Sequence, residues 1–514
     1  MRQGRWPRRK RHAKPPQYQE TNVIQKYQLY MEGRRVAPAA GRMLPSTNPY
    51  TGEVWAEIPD ADQHDVARAV AAANRAFEHE WRHTAGIKRA ALMIKLAGLI
   101  ERDADRMSRI ESTDNGKIIR ETRPQMLWVG RQLRYFAGYA DKLFGQQVPV
   151  DQADVLDYLS LEPYGVAALI TAWNSPLALL ANKLAPALAA GNCVVVKPSE
   201  HASASTLEFA SLVEEAGFPP GVFNVVTGGA ETGRALVEDP GVNLVSFTGS
   251  PGVGREIAAM AGRRLVPVKL ELGGKSPNIV FDDADLDRAV VGALAGIFGA
   301  TGQTCVAGSR LLVQRGVLDE VTQRLSARAA QIRMGDPLDP ATEMGTVANE
   351  PQFRRILAAI EQARSQGARL VTGGARAEGP GLQSGYFIQP TIFTDVDNAS
   401  QLAQEEIFGP VLAIIPFDTE DEAIRLANAS RYGLAAGLWT RDLSRAMRVS
   451  RAMQAGSVWV NTYRALAAQA PFGGFKESGI GRERGEAGLR EYLTTRNVMI
   501  DYSTEVRDPF AIRT

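Results

Sequence analysis

Residues 166–176 read Val-Ala-Ala-Leu-Ile-Thr-Ala-Trp-Asn-Ser-Pro, an apolar run that gives way to a loop. The run, Val166 to Thr171, has the length and composition of a buried strand. A helical stretch from about Leu177 to Ala190 follows, and Gly191-Asn192 caps it. Val194-Val-Val-Lys197 is the next strand, and Pro198-Ser-Glu200 the loop after it. The pattern continues through a helix, Ala204 to Ala216, and a strand, Val222 to Val226. Gly228, Gly229 and Gly233 start another helix, Val242 to Phe247 is a further strand, and Thr248-Gly-Ser-Pro-Gly-Val-Gly254 opens the helix after that. Strand and helix in alternation predict a doubly wound, mostly parallel α/β sheet. Ligands of such sheets sit beyond the strand C-termini, with phosphates at helix N-termini. The turn at 248–254 suits a pyrophosphate, although it is not G-x-G-x-x-G and a plain tight turn reads the same way.

Towards the N-terminus the chain reads as short strands and turns from Lys26, then helices over Asp62–Phe77, Arg89–Arg102 and Asp105–Asn115. Towards the C-terminus, Val268, Leu270 and Leu272 alternate with Lys269 and Glu271, as in a half-buried strand that Gly273-Gly274 ends. Glu271 then stands at a strand end, where a carboxylate can be aimed into a cleft. Phe298 to Arg310 reads Phe-Gly-Ala-Thr-Gly-Gln-Thr-Cys-Val-Ala-Gly-Ser-Arg. Glycines at 299, 302 and 308 let this backbone turn tightly and approach a ligand. A lone cysteine is usually a small buried hydrophobe, but no apolar stripe surrounds Cys305. A reactive thiol needs exposure and a base or electropositive site nearby. Cys193, in Gly191-Asn-Cys-Val-Val, reads as a buried strand start.

Glu-Leu-Gly-Gly-Lys-Ser-Pro277 followed by Gly-Gln-Thr-Cys305 strongly resembles the aldehyde dehydrogenase superfamily, of the NAD(P)-dependent, non-acylating type. The resemblance runs from roughly Gln28 to Asp501. It implies a Rossmann-type cofactor domain, an α/β catalytic domain and a small β oligomerisation element. It implies Cys305 as nucleophile, Glu271 as general base, Asn174 with the Cys305 N–H as oxyanion donors, and Lys183 with Glu483 as a proton exit. It places the dinucleotide against Phe247, Thr248, Gly249 and Ser250 and against the Lys197, Ser199, Glu200 turn. Glu406 and Phe408 of Gln404-Glu-Glu-Ile-Phe-Gly-Pro-Val411 are expected at the nicotinamide end. Thr171, Trp173, Gly229, Gly233 and Leu272 complete the expected cofactor set. Glu200 points to NAD, because a carboxylate bonds free ribose hydroxyls and repels a 2′-phosphate; Lys197 and Ser199 leave room for NADP.

The entry tunnel of the family falls on Ser175, Asn182, Arg464, Leu466 and Phe472. Ser175 and Asn182 stand where many relatives carry aromatic residues, and Arg464 adds a cation whose fork of donors suits a carboxylate. A polar or carboxylate-bearing aldehyde is the expected substrate; the competing reading pairs Arg464 with a surface acid. Other readings of the chain are a CoA-acylating (semi)aldehyde dehydrogenase, disfavoured by Glu271, an acyl-phosphate reductase of the same fold, and a non-catalytic scaffold.

Domains are expected at 21–140 with 162–273 (NAD binding), 274–476 (catalytic), and 141–161 with 477–514 (oligomerisation), behind a disordered basic tail, 1–20. A formal charge of +2 makes no case for nucleic acid or a membrane surface, and two cysteines fit a reducing, cytoplasmic compartment. No apolar run reaches the ~18 residues of a membrane helix. The partners expected are a small aldehyde and further copies of the chain, as homodimer or homotetramer. His79-Glu-Trp-Arg-His83 matches the zinc pattern H-E-x-x-H, but it sits at a helix end and reads as solvated, with no metal expected.

Overall fold

The computed structural model describes residues 24–504, with Asp508 and Phe510. The basic tail expected over 1–20 lies outside the described residues. Five parallel strands form the centre of an eight-stranded sheet, in the order Val268–Glu271, Leu244–Thr248, Val166–Thr171, Cys193–Pro198 and Phe223–Val225. Val166–Thr171 is central and buried on every residue, which is why it reads as a continuous apolar run instead of an alternating one. Helices cover both faces. Two of them, Pro176–Ala190 and Ala204–Ala216, end on left-handed glycines, Gly191 and Gly217 (φ 99° and 87°).

The second lobe is a seven-stranded sheet in the order Arg369–Thr372, Thr391–Thr394, Val411–Phe417, Arg310–Gln314, Pro277–Val280, Ala435–Trp439 and Ser457–Val460. All its pairs are parallel except the first. Apolar clusters fill both faces of this sheet. A smaller cluster of Val306, Leu434, Ala435, Trp459 and Phe472 is bordered by Cys305.

The third element is an antiparallel sheet of Leu493–Asp501, Val155–Pro163 and Gln146–Val148. Its boundary differs from the one read in sequence. Gly479–Ile480 pairs with Val268–Glu271 at the edge of the first sheet, and Leu489 and Tyr492 join the first lobe's core. Residues 477–492 are therefore built into the cofactor lobe, and the strand that leaves it begins at Leu493.

The H-E-x-x-H stretch is not one helix. The helix Gln63–His79 stops at His79, and Trp81–His83 forms a separate short turn. Trp81 is fully buried and packs against Phe218, ring centroids 5.8 Å apart. The buried indole anchors the turn, while His79, Glu80 and His83 are exposed, as expected of a solvated helix end. Among the described residues no group of three or more His, Cys, Asp or Glu is gathered for a metal.

Candidate active site

The strand carrying Glu271 runs out beside the loop carrying Cys305. Gly274 allows the approach, because a Cβ there would stand 2.5 Å from the Cys305 carbonyl oxygen. The loop enters from the helix Leu286–Phe298 through three left-handed residues, Ala300, Thr301 and Gly302 (φ 54°, 55° and 71°). Two are not glycine, a conformation that is costly unless its surroundings enforce it. Here Glu121 Oε1 accepts the Ala300 N–H at 2.8 Å and Gln303 binds both Thr346 and Ala348. Gly299 has an ordinary φ of −57°; it is small because Arg464 lies across it.

Cys305 is half-buried. Burial first, then the carboxylates of Glu271 and Glu406, pushes its thiol up to about 12. At neutral pH the thiol is protonated and needs a base. Its N–H has no acceptor among the described residues. The Asn174 amide donates to Gln303 O at 2.9 Å, holding that side chain against the same loop with one N–H to spare.

Glu271 is 5 % exposed and its Oε2 is buried without a partner. Burial, then the nearby Glu483 charge, holds its carboxyl well above the usual range, while Lys183, Arg484 and Arg482 work against this. Lys183 Nζ donates to Glu483 Oε1 at 2.7 Å and to Ser246 Oγ at 3.2 Å. This ion pair is buried and lies within electrostatic reach of Glu271. Lys183 and Glu483 are thus brought together although 300 positions separate them.

A cleft of about 450 Å³ has both Cys305 and Glu271 in its wall. Every cofactor residue expected from the sequence lines it, from Glu200 and Lys197 at one end to Glu406 and Phe408 at the other. Its chemistry suits a dinucleotide. Thr171 Oγ1 and Thr248 Oγ1 are buried without partners, so hydroxyls and phosphates would satisfy them. Gly249 donates its N–H to the Glu271 carbonyl at 3.1 Å, which ties the turn after Thr248 to the neighbouring strand. A Cβ on Gly249 would stand 2.3 Å from the Phe247 ring, so glycine is what lets that ring fold back over the turn. Gly229 and Gly233 leave open backbone at the helix Ala230–Glu238. Lys197 Nζ stands 3.7 Å from Glu200 Oε2. Burial alone would raise the Glu200 carboxyl, but Lys197 and a backbone N–H bring it below the usual value. Glu406 accepts the Gly274 N–H at 3.0 Å. Burial lifts its carboxyl to about 7. Phe408 meets Trp173 edge-on at 5.3 Å.

Several lining groups were not singled out in the sequence. Gln352 donates to the Ile407 and Phe408 carbonyls and so fixes the Glu406 loop, and Arg355, His201 and Arg234 complete the wall. Which of them face the cleft is set only by packing.

The five substrate candidates lie outside this cleft. Ser175 Oγ donates to Asn174 O at 2.7 Å and accepts from the Lys117 ammonium. Asn182 is buried, its Oδ1 accepting from Gln132 Nε2 at 2.9 Å and Arg484 Nε at 3.4 Å. Phe472 is buried in the cluster beside Cys305, and Leu466 is exposed. Arg464 donates to the Ala295 carbonyl at 3.1 Å and makes no ion pair among the described residues. A surface acid therefore does not hold it. Lys117 and Arg484, both missed in the sequence, are buried cations of this side, in addition to the paired Lys183. Arg484 follows directly on the Gly481-Arg-Glu483 turn, where a further charge is visible; Lys117 belongs to a distant helix end and needs the fold to be seen.

A nucleophile-bearing loop, a buried carboxylate and a dinucleotide cleft at parallel strand ends define an α/β oxidoreductase. The aldehyde dehydrogenase family matches residues 36–498. A (Z)-2-((N-methylformamido)methylene)-5-hydroxybutyrolactone dehydrogenase of Acinetobacter baylyi is 46 % identical over 95 % of this chain and 100 % of its own. Human retinal dehydrogenase 2 is also 46 % identical, over 90 % of this chain and 89 % of its own. A betaine aldehyde dehydrogenase from Staphylococcus aureus, solved in complex with NAD+, superposes with a TM-score of 0.93 at 38 % identity. It covers 95 % of this chain and 99 % of its own. The chain belongs to the aldehyde dehydrogenase family, non-acylating type, and its reaction is NAD(P)-dependent oxidation of an aldehyde through a catalytic cysteine.

Proposed function

We propose that Cys305 is the nucleophile of this reaction and Glu271 the base that completes it. The observation carrying this is the meeting of an unpartnered buried carboxylate with a half-buried thiol at the mouth of a dinucleotide cleft. The Cys305 thiol passes its proton to water in the cleft as its sulfur adds to the aldehyde carbon, which gives a thiohemiacetal. The Cys305 N–H and the free Asn174 N–H stand where the oxyanion develops, and donors fixed in advance are worth most there. NAD, when bound, accepts the hydride. What remains on Cys305 is a thioester. Glu271 takes a proton from water, which attacks the thioester and releases the carboxylic acid. The Lys183–Glu483 pair offers that proton a route away from Glu271. The test is absorbance of the reduced nicotinamide on mixing protein, NAD and an aldehyde, with and without CoA. Turnover that required CoA would overturn the hydrolytic reading.

Glu200 supports NAD over NADP. Because its side chain is partly exposed, screening limits the repulsion of a 2′-phosphate, and we expect a preference of roughly tenfold that Glu200→Gln narrows. The check is kcat/KM for both cofactors in both proteins; a lower KM for NADP in the unaltered enzyme would reverse the assignment.

The aldehyde we propose carries a carboxylate or comparable polar group. Identity alone does not choose, since relatives named for retinal and for a hydroxybutyrolactone are equally similar. A 5-hydroxybutyrolactone is, by ring–chain chemistry, the closed form of an aldehyde with a carboxylate. Ser175, which accepts from the Lys117 ammonium, and Asn182, which accepts from the Arg484 guanidinium, favour that kind of compound over an apolar one. A wild-type preference for succinic semialdehyde over isocaproaldehyde, which has an isopropyl group in place of the carboxylate, tests the class.

We further propose a cytoplasmic homodimer or homotetramer. The strand Leu493–Asp501 forms a sheet edge with Met499 and Ile500 exposed, and such an edge is a template for a second strand. Mass in solution by light scattering tests the assembly, and fractionation of the producing cells tests the compartment.

A further inference from the structure

We propose that Arg484 is the residue that receives the substrate's carboxylate; this rests on the reading of an anionic aldehyde above. Arg484 is only 7 % exposed, yet it makes no ion pair among the described residues. A buried guanidinium without a carboxylate is costly. Its sequence neighbour Glu483 is turned away and bonded to Lys183. Its one hydrogen bond is a long one, from Nε to Asn182 Oδ1 at 3.4 Å, which leaves the two terminal nitrogens of the fork free.

What holds Arg484 is stacking. Its guanidinium lies over the rings of Trp128 and Phe472, 5.3 and 4.7 Å from their centroids. Two such contacts fix the plane of the cation without using its donors. The backbone is committed as well. Arg484 is left-handed, φ 61°, and reciprocal 2.7 Å hydrogen bonds between Phe472 and Glu483 clamp the turn. A strained residue kept in place by both neighbours suggests a use for its side chain.

The location fits a specificity contact. Phe472 belongs to the cluster that Cys305 borders, and Arg484 lies close enough to Cys305 to act on its thiol. Asn182 then has a definite part: an amide oxygen there orients Arg484, which a large apolar side chain could not do. Lys117, which donates to Ser175, is a second cation near Cys305, partly offset by Glu121 and Glu111. Arg464 stands further out, on the Ala295 carbonyl.

The experiment compares kcat/KM for succinic semialdehyde and isocaproaldehyde in wild type, Arg484→Met, Arg484→Gln and Arg464→Ala. Gln keeps a donor for Asn182 but no charge. We expect the acid-over-neutral ratio to fall ~10–100-fold in both Arg484 variants, as for loss of a charge-assisted hydrogen bond. In Arg464→Ala it should fall less than about fivefold, as for an exposed pair. A wild-type ratio well above one that survives in the Arg484 variants would overturn the assignment and leave the substrate class standing. A wild-type ratio near one would overturn the substrate class itself. If neither variant folds, the wild type decides: at low salt, succinamate should slow Cys305 alkylation by iodoacetamide more than the uncharged isocaproamide does, and equal protection would refute the assignment.

Discussion

Cys305→Ala should eliminate dehydrogenase turnover and any esterase activity, while NAD binding persists. The scale is on the order of 10⁶-fold, typical when a covalent nucleophile is removed. Dinucleotide binding should survive because Cys305 supplies one of many groups along the cleft, and the cofactor contacts lie on separate strands and helices. Cys193→Ala is the matching control. Cys193 begins a central strand, fully buried, and burial pushes its thiol far up. Its variant should lose some stability and keep activity. Steady-state rates with calorimetric NAD titration check both. An active Cys305→Ala beside an inactive Cys193→Ala would reverse the assignment of the nucleophile.

The same thiol shows how far the sequence could be read. The central strands were legible because a strand buried on both faces must be apolar throughout, and Val166–Thr171 and Val194–Lys197 are written that way. The cofactor cleft was legible for a related reason. In a parallel sheet the loops after successive strands converge at one edge, so residues 171–173, 197–200 and 247–250 had to meet. The state of the thiol was not legible. Glycines suggested an accessible group with a base or electropositive site nearby; in the fold the thiol is half-buried, and burial with two neighbouring carboxylates disfavours its ionisation.

The substrate side was least legible, since it is built from elements far apart in the chain. Asn182 read as a residue lining the tunnel, and in the fold it is a buried acceptor shared by Gln132 and Arg484. Arg464 read as the cation for the substrate, yet in the fold one of its terminal nitrogens bonds the Ala295 carbonyl and it lies outside the cleft. Nothing in the local sequence of Arg484 shows that Trp128, more than three hundred residues upstream, will stack on it. Such contacts depend on helix packing, and periodicity does not encode which side chains two helices bring together. The domain boundary near 477 was misplaced on similar grounds: the two-residue strand Gly479–Ile480 is too short to announce itself.

Glu271→Gln should lower steady-state turnover ~10²–10⁴-fold, the usual loss for a general base, while sparing the step that forms reduced cofactor. The replacement is close in shape, so the fit of this buried side chain beside Gly473 is kept. Electrostatics separates the two half-reactions. The Glu271 carboxylate raises the Cys305 thiol pKa, and a neutral amide removes that opposition, so thiolate formation does not suffer from the loss of charge. Hydrolysis of the thioester does suffer, because an amide cannot take a proton from water. Rapid mixing should therefore show a burst of reduced cofactor that is large relative to the later rate. The pH dependence follows from the same carboxyl. Burial and Glu483 hold it protonated to higher pH than an ordinary glutamic acid. Only the ionised form is a base, so wild-type deacylation should rise with pH through that elevated value, and this limb should vanish in Glu271→Gln. Should hydride transfer fall as far as turnover does, with the rising limb intact, Glu271 would belong to activation of the thiol and another group would have to activate water.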